Sequence, residues 1–518
     1  RDRPRTYKEH EVGARATAGS FGSWRANLYG AAASEKVQLF ATAGAAGARN
    51  DYPYFYDITP FDPTDGEERL RENADFLEGF GFSNISIETS DVSELDVVFL
   101  GVGRDRGLPG PGASPALRAR SKTTRLIGTA SWVQEERGAH PYRLQVAANY
   151  DYGRNRFDNQ NRELASRVAQ LTNDQTHSVF GRAAASVLAL PWFEVTTIAS
   201  ARYQAFDPEN ELPSGDRPAA SDRLSAAGTI ETRLFGDLGQ VGLELRPSIR
   251  FGWSRARIRQ AGPGEPVPEP TSDFQPTFRL GAAISPLEWL AFRASVSSGY
   301  KLPSLFQIFG NRSTVAASPE LVPERSLSVD GAVTARGHAG VLSGYASLGA
   351  FVSRIDNMIR LRTVSDFKIK YQNIASGRSR GVELEFRGGV TKHFFLTGEV
   401  TWTDAIDETL DKQLPGQPRW VALLQPEVHS GTLSKTVSDI MGFFRISYVG
   451  QSYNDPANLV VLRARTELAL GAGVDLFEGR LGMSFRIDDL LDARGVDLLS
   501  YPLPGRRYSG RLSVRHSW

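Results

Sequence analysis

Cysteine is missing from all 518 residues, and methionine occurs only three times. Without cysteine the chain forms no disulfide, performs no thiolate chemistry and builds no cysteine-based zinc site. This does not fix the compartment, because an oxidising environment permits disulfides without requiring them. The seven histidines are scattered without the spacing of metal ligands, and no phosphate-cradling glycine loop occurs. The sequence therefore indicates neither an enzyme nor a bound cofactor or metal.

Long apolar runs are missing as well. No stretch approaches the roughly 18 residues that a transmembrane helix needs, so a closed β-barrel is the only membrane-spanning structure open to this chain. The net charge of +1 argues against a nucleic-acid partner. The charged start, Arg1 to Arg5, has neither an apolar segment behind it nor an initiator methionine. We therefore expect the chain to begin inside a longer precursor or to be a processed product.

The end of the chain, from Arg507 to Trp518, has a clear strand pattern. One alternate set contains Arg507, Arg511 and Arg515 with serines between them, and the other set is mostly apolar and ends on Trp518. Successive side chains of a strand point to opposite faces, so this strand has one cationic face and one apolar face. Its length suits a transmembrane β-strand, which needs roughly 9–11 residues and carries aromatics at the membrane interfaces.

Segments with the same two-residue period recur along the whole chain, and their connections alternate between short and long. Short connections are predicted near 190–192 and 391–393, and long ones near 48–71 and 298–325. We predict an all-β fold, an antiparallel barrel of about 22 strands, each ~10 residues long, with short turns on one side and long loops on the other. Residues 10–518 are expected to form this single barrel domain.

The alternate faces also predict the character of the interior. In Gly381–Gly388, Val382 and Leu384 alternate with Glu383 and Glu385, and Ala291–Tyr300 has the same pattern. Carboxylates and guanidinium groups would share the inner face, which favours a hydrated, charge-paired lumen. A barrel of this strand number is wide enough to need a plug or to stand open.

Two stretches carry a family resemblance. The run Ser298-Gly-Tyr-Lys-Leu-Pro-Ser-Leu precedes a loop, and Leu-Val-Pro-Glu-Arg-Ser326 opens the next strand. This arrangement resembles the signature of TonB-dependent receptors, most closely the vitamin B12 and siderophore branch. The strand from Asn373 to Glu385 and the hairpin around Gly19–Gly22 resemble the same family. The motif positions that match are Pro303, Ser304, Pro323, Glu324, Arg325, Gly381 and Glu383.

The resemblance implies an outer-membrane protein of a Gram-negative bacterium. Its surroundings would then be a lipid bilayer and lipopolysaccharide, and Trp518 would belong to the signal that the barrel-assembly machinery reads. It also implies uptake of a scarce ligand, such as an iron–siderophore or a cobalamin-like compound. The TonB system would energise that uptake through a plug domain.

The family's amino-terminal plug and TonB-binding box do not occur in this sequence. Residues 1–9 are expected to be a remnant of the linker between plug and barrel. Either the plug is a separate or cleaved polypeptide, or the barrel lacks a plug. A barrel without a plug would serve as a structural scaffold in an envelope complex or as a passive pore.

Several local groups have both a functional and a structural interpretation. Tyr52, Tyr54, Phe55 and Tyr56 would form an outer platform for a ligand, or an interface girdle with loop packing. Asp51, Asp57, Asp62 and Asp65 resemble a calcium-binding loop, but their irregular spacing favours solvated carboxylates.

The motif around Pro323 also has two interpretations. Pro323 marks the start of a strand because it cannot donate to a ladder. Glu324 and Arg325 would pair at the loop base or gate a ligand. The string Gly377-Arg-Ser-Arg-Gly381 matches the nucleophile elbow G-x-S-x-G, but a strand rather than a helix is expected after it.

Overall fold

The computed structural model describes residues 10–56, 66–136, 138, 141–164, 169–212, 220–260, 269–310, 315–365, 368–374 and 376–518. The linker remnant expected at residues 1–9 lies outside the described residues. In the described chain the helical element is α1 (Leu305–Phe309), and no helix there is long and apolar enough to cross a membrane.

Twenty-two long strands form one antiparallel sheet. In chain order they are β1 (Glu11–Gly19), β2 (Ser23–Ala33), β3 (Val37–Ala48), β4 (Phe76–Ser90), β5 (Ser93–Gly107), β6 (Arg120–Glu136), β7 (Tyr142–Asn159), β8 (Gln170–Leu190), β9 (Phe193–Asp207), β10 (Ala220–Leu238), β11 (Val241–Gln260), β12 (Thr271–Leu287), β13 (Leu290–Lys301), β14 (Glu324–Ala339), β15 (Leu342–Asp356), β16 (Gly377–Val390), β17 (Phe394–Asp407), β18 (Trp420–His429), β19 (Val437–Val449), β20 (Arg465–Leu476), β21 (Leu481–Asp488) and β22 (Arg507–Ser517).

The sheet closes on itself because its first and last strands pair. The register between β1 and β22 runs from Glu11↔Ser517 to Gly19↔Ser509. Two short strands, Asn210–Leu212 and Lys412–Gln413, extend the same sheet within loops. Closure leaves no edge whose unpaired N–H and C=O groups would face lipid. The predicted all-β barrel of about 22 strands is confirmed.

The remaining short strands pair within the loops or add to them. They are Pro53–Tyr56 with Glu67–Leu70, Ile359–Ser365 with Lys368–Asn373 and Val315–Ala316, Ser452–Tyr453 with Val461–Leu462, and Val496–Leu498 with Tyr501–Pro502.

Connection length separates the two ends of the barrel. At one end the chain turns within segments such as 91–92, 191–192 and 340–341, and both His10 and Trp518 lie at this end. At the other end the connections include 49–75 and 302–323, although the first, 20–22, is short. We call these the turn side and the loop side.

Many strands are longer than the expected ~10 residues. β8 has 21 residues and β11 has 20, whereas β22 has 11. The outward face of β11 explains the excess length. It is apolar from Val241 to Trp253 and then carries Arg255, Arg257 and Arg259. The strand therefore crosses an apolar band and continues past it on the loop side.

The cross-strand register fixes the two faces of the sheet. Leu384 is the partner of Leu348 and Val400, and this face continues around the barrel with exposed Leu, Val and Phe side chains. It is the outward face. Glu383, Glu385 and Glu399 lie on the opposite, inward face, so the faces predicted for Gly381–Gly388 are confirmed. The inward face also holds the buried apolar cluster around α1.

Candidate functional site: the loop-side mouth and the lumen

The first long loop contains a small hairpin that carries the predicted aromatic platform. Tyr54 is buried and donates its hydroxyl hydrogen to the carbonyl of Gly112 at 3.0 Å, and Tyr52 donates to the carbonyl of Pro502 at 2.7 Å. Phe55 points the other way and is 56% exposed, while the Arg69 guanidinium lies 4.2 Å from the ring centre of Tyr56. Tyr52 and Tyr54 thus tie three loops together, and Phe55 remains available to a ligand.

The predicted acidic group is only partly described. Asp51 lies 3.7 Å from Arg49, and Asp57, Asp62 and Asp65 lie outside the described residues. Within the described chain no cluster of histidine and carboxylate side chains suits a metal ion. That the four aspartates are solvated carboxylates rather than a calcium-binding loop stays a prediction from the sequence.

Beneath this hairpin a buried arginine lies in the same loop layer. Arg71 is 4% exposed, donates to the carbonyl of Gly110 at 2.5 Å and lies near the ring of Tyr501. Its second terminal nitrogen has no hydrogen-bond partner in the described part of the chain. Sequence reasoning missed this residue, because nothing in the local pattern distinguishes it from the exposed arginines of other loops.

The loop that begins with Pro303 and Ser304 folds into the barrel mouth. Ser304 caps α1, because its side chain accepts a hydrogen bond from the backbone N–H of Gln307. The side-chain oxygen of Gln307 in turn accepts a hydrogen bond from the backbone N–H of Ser304. Leu305, Ile308 and Phe309 of this helix pack against Phe206 on β9 and Ala256 on β11. We call the loop that begins with Pro303 and Ser304 the motif loop. The cluster holds this loop against the inner wall.

An inward-facing arginine fixes the same loop from below. Arg223 on β10 donates to the carbonyl of Pro303 at 2.5 Å and to the side-chain oxygen of Gln204 at 2.9 Å. Pro303 itself is buried, and Ser304 is exposed. The Pro-Ser pair therefore marks the point where the loop turns inward.

The second half of the motif joins two loops at the barrel rim. Glu324 at the start of β14 pairs with Lys301 at 3.1 Å and accepts a hydrogen bond from the Ile359 N–H at 2.7 Å. The partner of Glu324 is Lys301, while Arg325 is exposed and forms no ion pair within the described residues. Pro323 precedes β14 directly, as expected of a residue that cannot donate to a ladder.

Gly381 allows an aromatic ring to lie flat on the inner wall. A Cβ atom at this position would meet the Trp402 carbonyl oxygen at 2.5 Å and the Phe351 ring at 2.7 Å. Phe351 is the direct cross-strand partner of Gly381. Gly377–Gly381 forms the start of β16 with no helix after it, so the nucleophile-elbow string has no catalytic context.

Charged side chains without an ion-pair partner occur on two parts of the inner wall. Glu385 and Glu399 are direct cross-strand partners, and Glu383 lies beside them. On β1 and β22, Arg15 and Arg511 face the same lumen. None of these five side chains has an ion-pair partner among the described residues. Like charges placed directly opposite each other are destabilising, so the Glu385–Glu399 pair favours a partner of positive charge.

An apolar sector of the inner wall was not predicted. On β3 to β5, Phe40, Phe82 and Leu100 face the lumen in adjacent register positions. The ring centres of Phe40 and Phe82 are 6.1 Å apart. We call Phe40, Phe80, Phe82, Val98, Leu100 and Val102 the apolar wall. Gly81 lies between Phe80 and Phe82 in β4, and Gly79 precedes Phe80, so that segment shows no polar–apolar alternation from which to assign its faces.

Trp518 lies next to His10, which immediately precedes β1. The backbones of Trp518 and His10 exchange two hydrogen bonds, of 3.0 and 3.1 Å. The Trp518 ring is 62% exposed and stacks on His516 with 5.5 Å between ring centres. It lies on the turn side, at the seam that closes the barrel.

Comparison with known proteins adds a family and a set of similar folds. Residues 68–487 match the family model described as TonB dependent receptor-like, beta-barrel. A search of curated proteins found no match.

Among solved structures, the copper transporter OprC has a TM-score of 0.79 at 14% identity, over 98% of this chain and 80% of that one. The FrpB iron transporter from Neisseria meningitidis (F3-3 variant) has a TM-score of 0.76 at 12% identity, over 99% and 82%. The siderophore receptor PiuA from Acinetobacter baumannii has a TM-score of 0.72 at 12% identity, over 98% and 82%. At these identities the similarity establishes the fold alone.

Proposed function

Because this chain belongs to the TonB-dependent receptor family through its β-barrel domain, we propose that it is the barrel of an active transporter for a scarce ligand. Members of this family lie in the outer membrane of Gram-negative bacteria, and so does this barrel. The loop side faces the cell exterior, because outer-membrane barrels have short periplasmic turns and long extracellular loops. Phe55, the motif loop and α1 would then be the first groups that a ligand meets.

The ligand we propose is a metal chelate or a cobalamin-like compound. The names of three proteins with similar folds refer to copper, iron and a siderophore. These proteins share the barrel fold with this chain. Fold-level similarity does not select among these ligands. An exposed aromatic at the mouth suits an iron–siderophore and a corrinoid equally.

We propose further that a plug domain occupies the lumen and links the barrel to the TonB system. The apolar wall is the observation that carries this proposal. A passive, water-filled pore would leave six apolar side chains facing water, whereas a folded domain in the lumen would bury them. The unpaired glutamates on β16 and β17 and the arginines on β1 and β22 would pair with the same domain.

The first test is intact mass spectrometry of the native protein from outer membranes, together with everything that co-purifies. A chain well above 56.8 kDa, or a chain of that mass with a plug-sized companion, is the expected result. A chain near 56.8 kDa without such a companion would contradict the plugged transporter. It would favour the second candidate, a structural scaffold or a passive pore.

Two further partners belong to this proposal. The β22 strand with its terminal Trp518 would be read by the barrel-assembly machinery during insertion, since it is the strand that closes the sheet. Bilayer lipid and lipopolysaccharide would cover the outward apolar face.

A further inference from the structure

A histidine on the inner wall lies between two carboxylates at the turn-side end of the lumen. His429 is the last residue of β18, and it shares the inward face of that strand with Glu427. Its Nε2 is 2.6 Å from Oε1 of Glu427, and its Nδ1 is 2.6 Å from Oδ2 of Asp439 on β19. The Phe395 ring packs edge-on against the imidazole, with 5.5 Å between ring centres. We call the half-buried side chains of Glu427, His429 and Asp439 the histidine clamp.

The two contacts of the histidine clamp require a protonated imidazole. A neutral imidazole carries a hydrogen on one ring nitrogen only, whereas the imidazolium donates from both nitrogens. Each nitrogen of His429 faces a carboxylate oxygen, and an ionised carboxylate accepts hydrogen bonds but donates none. Both contacts are therefore satisfied only when a positively charged His429 bridges the two negative groups. In the neutral state, one contact would place two acceptors against each other.

The histidine clamp is the middle part of a hydrogen-bond chain along the inner wall. On one side, the Gln425 amide donates to the second oxygen of Glu427 at 3.0 Å, and its own oxygen accepts from Nε of Arg445 at 2.7 Å. On the other side, Oδ1 of Asp439 accepts from the backbone N–H of Gly431 at 2.9 Å. The chain therefore connects the wall of the lumen with the first residues of a turn.

This turn, residues 430–436, is the longest turn-side connection among the described residues. Two backbone amides at its base report on how it is held. The Gly431 N–H donates to Asp439, and the Ile440 N–H donates to the hydroxyl of Ser430 at 2.8 Å. Asp439 thus holds the beginning of the turn against β19, and His429 holds Asp439.

A further carboxylate lies beside the histidine clamp. Asp475 on β20 is the direct cross-strand partner of Asp439. Like charges placed directly opposite each other are destabilising, and Glu427 adds a third carboxylate to this part of the inner wall. A protonated His429 offsets the repulsion among these groups. Its deprotonation would leave three negative charges without the cation that lies between two of them.

The remaining titratable groups near the end of β18 lie on two turns. Lys392 precedes β17 and Lys435 lies in the turn 430–436, and neither lysine pairs with the histidine clamp. Nδ1 of His393 lies 2.9 Å from the carbonyl oxygen of His429, and a neutral imidazole makes that contact by donating one hydrogen. His429 is therefore the group here whose contacts depend on its protonation.

We propose that the histidine clamp is a pH-sensitive switch at the turn-side end of the lumen. While His429 is protonated, it binds Glu427 and Asp439 and holds residues 430–436 against the wall. As the pH rises, His429 loses its proton, and the turn is released beside three carboxylates. A proton bound through contacts of the folded state contributes stability that is present at low pH and is lost as the pH rises. The inference concerns the barrel itself and depends on neither the transported ligand nor a plug.

The test is hydrogen–deuterium exchange with mass spectrometry on the detergent-solubilised full chain. Exchange is measured at about pH 6 and about pH 9, and the rates are corrected for the intrinsic pH dependence of amide exchange. We expect protection of the Gly431 and Ile440 amides to fall about tenfold between the two pH values, the effect of losing about one charge-assisted hydrogen bond. Protection that is equal at both pH values would overturn the proposal.

Substitutions separate the charge of the histidine from its other contacts. His429→Arg keeps a positive charge, so protection should be high at both pH values, and His429→Asn should give low protection at both. Asp439→Asn keeps an acceptor for the Gly431 N–H but loses the charge, so it should also abolish the pH dependence. This variant tests the proposal even where His429→Arg fails to assemble.

The matched control is His338→Asn. His338 is exposed near the turn-side end of β14 and makes no hydrogen bond among the described residues. Its substitution should leave the wild-type pH dependence in place. A wild-type pH dependence in His429→Asn would overturn the proposal. Loss of the pH dependence in His338→Asn would do the same, because the switch would then not reside in the histidine clamp.

Discussion

At the scale of single residues, glycines on the inner wall are sites of close aromatic contact. Gly381 lies under the Phe351 ring and beside the Trp402 carbonyl. We expect Gly381→Val to lower the free energy of unfolding by about 1–3 kcal/mol, because the added side chain must displace both neighbours. Urea unfolding followed by tryptophan fluorescence measures this loss.

The matched control for that variant is Gly81→Val, on the outward face of β4. A Cβ there would have no heavy atom within 4 Å, so the change in stability should stay within about 0.5 kcal/mol. If both variants lose the same free energy of unfolding, the contact with Phe351 is not the reason that position 381 requires glycine.

The apolar wall is the residue-scale feature that the proposed plug would contact. Phe82→Asp places a carboxylate among Phe40 and Leu100 without altering the lipid-facing surface. We expect it to weaken retention of a plug-sized companion by about 30-fold, the effect of losing about 2 kcal/mol at an interface hot spot. Pull-down from solubilised outer membranes measures the retained amount.

Ser297→Asp, on the inward face of β13 and opposite Arg279, is the control for that experiment. It should retain the companion at the wild-type level. If both variants retain it equally, the apolar wall does not contribute to plug binding.

At the scale of elements, the loop between β19 and β20 is organised by one carboxylate. Asp455 accepts hydrogen bonds from the N–H groups of Ala457, Leu459 and Val460. The Val460 N–H contributes most to holding the pKa of Asp455 below its usual value of 3.8. A lowered pKa in the folded state means that the carboxylate stabilises the loop above the ordinary pKa and loses that effect as the pH falls.

We therefore expect the amides of residues 457–460 to be protected from exchange at neutral pH and to lose protection below pH 3.8. Asp455→Asn should show the same loss already at pH 7. Hydrogen–deuterium exchange with mass spectrometry measures both. Protection that is unchanged in the variant at pH 7 would contradict this role of Asp455.

The elements also show what a sequence can and cannot predict. Strand alternation predicted the barrel, its last strand and the inner face of β16, because polar and apolar residues alternate clearly there. Strand length was underestimated, since β8 and β11 continue past the apolar band. The apolar wall escaped prediction because β4 alternates phenylalanine with glycine. The burial of Tyr54 depends on a contact with Gly112 in another loop, and no local pattern encodes it.

At the scale of the whole molecule, closure of the sheet depends on the pairing of β1 with β22. The pairing of β1 with β22 joins the two ends of the chain, and Trp518 caps this seam through His10. We expect Trp518→Ala to slow insertion and lower the amount of heat-modifiable barrel in outer membranes several-fold, with little effect on the stability of the barrel once inserted. Semi-native electrophoresis of pulse-labelled cells measures the rate of insertion. A rate equal to that of the wild-type chain would exclude Trp518 from the assembly signal.

We propose that this barrel performs energised uptake from its loop side. The most direct measurement is accumulation of labelled ferric chelates and labelled cobalamin in cells that carry the native protein, with and without a functional TonB system. We expect accumulation of at least one of these compounds, and we expect it to disappear when TonB is inactivated and when the gene is deleted. Equal accumulation in all three strains, together with a large ungated conductance in planar bilayers, would contradict it.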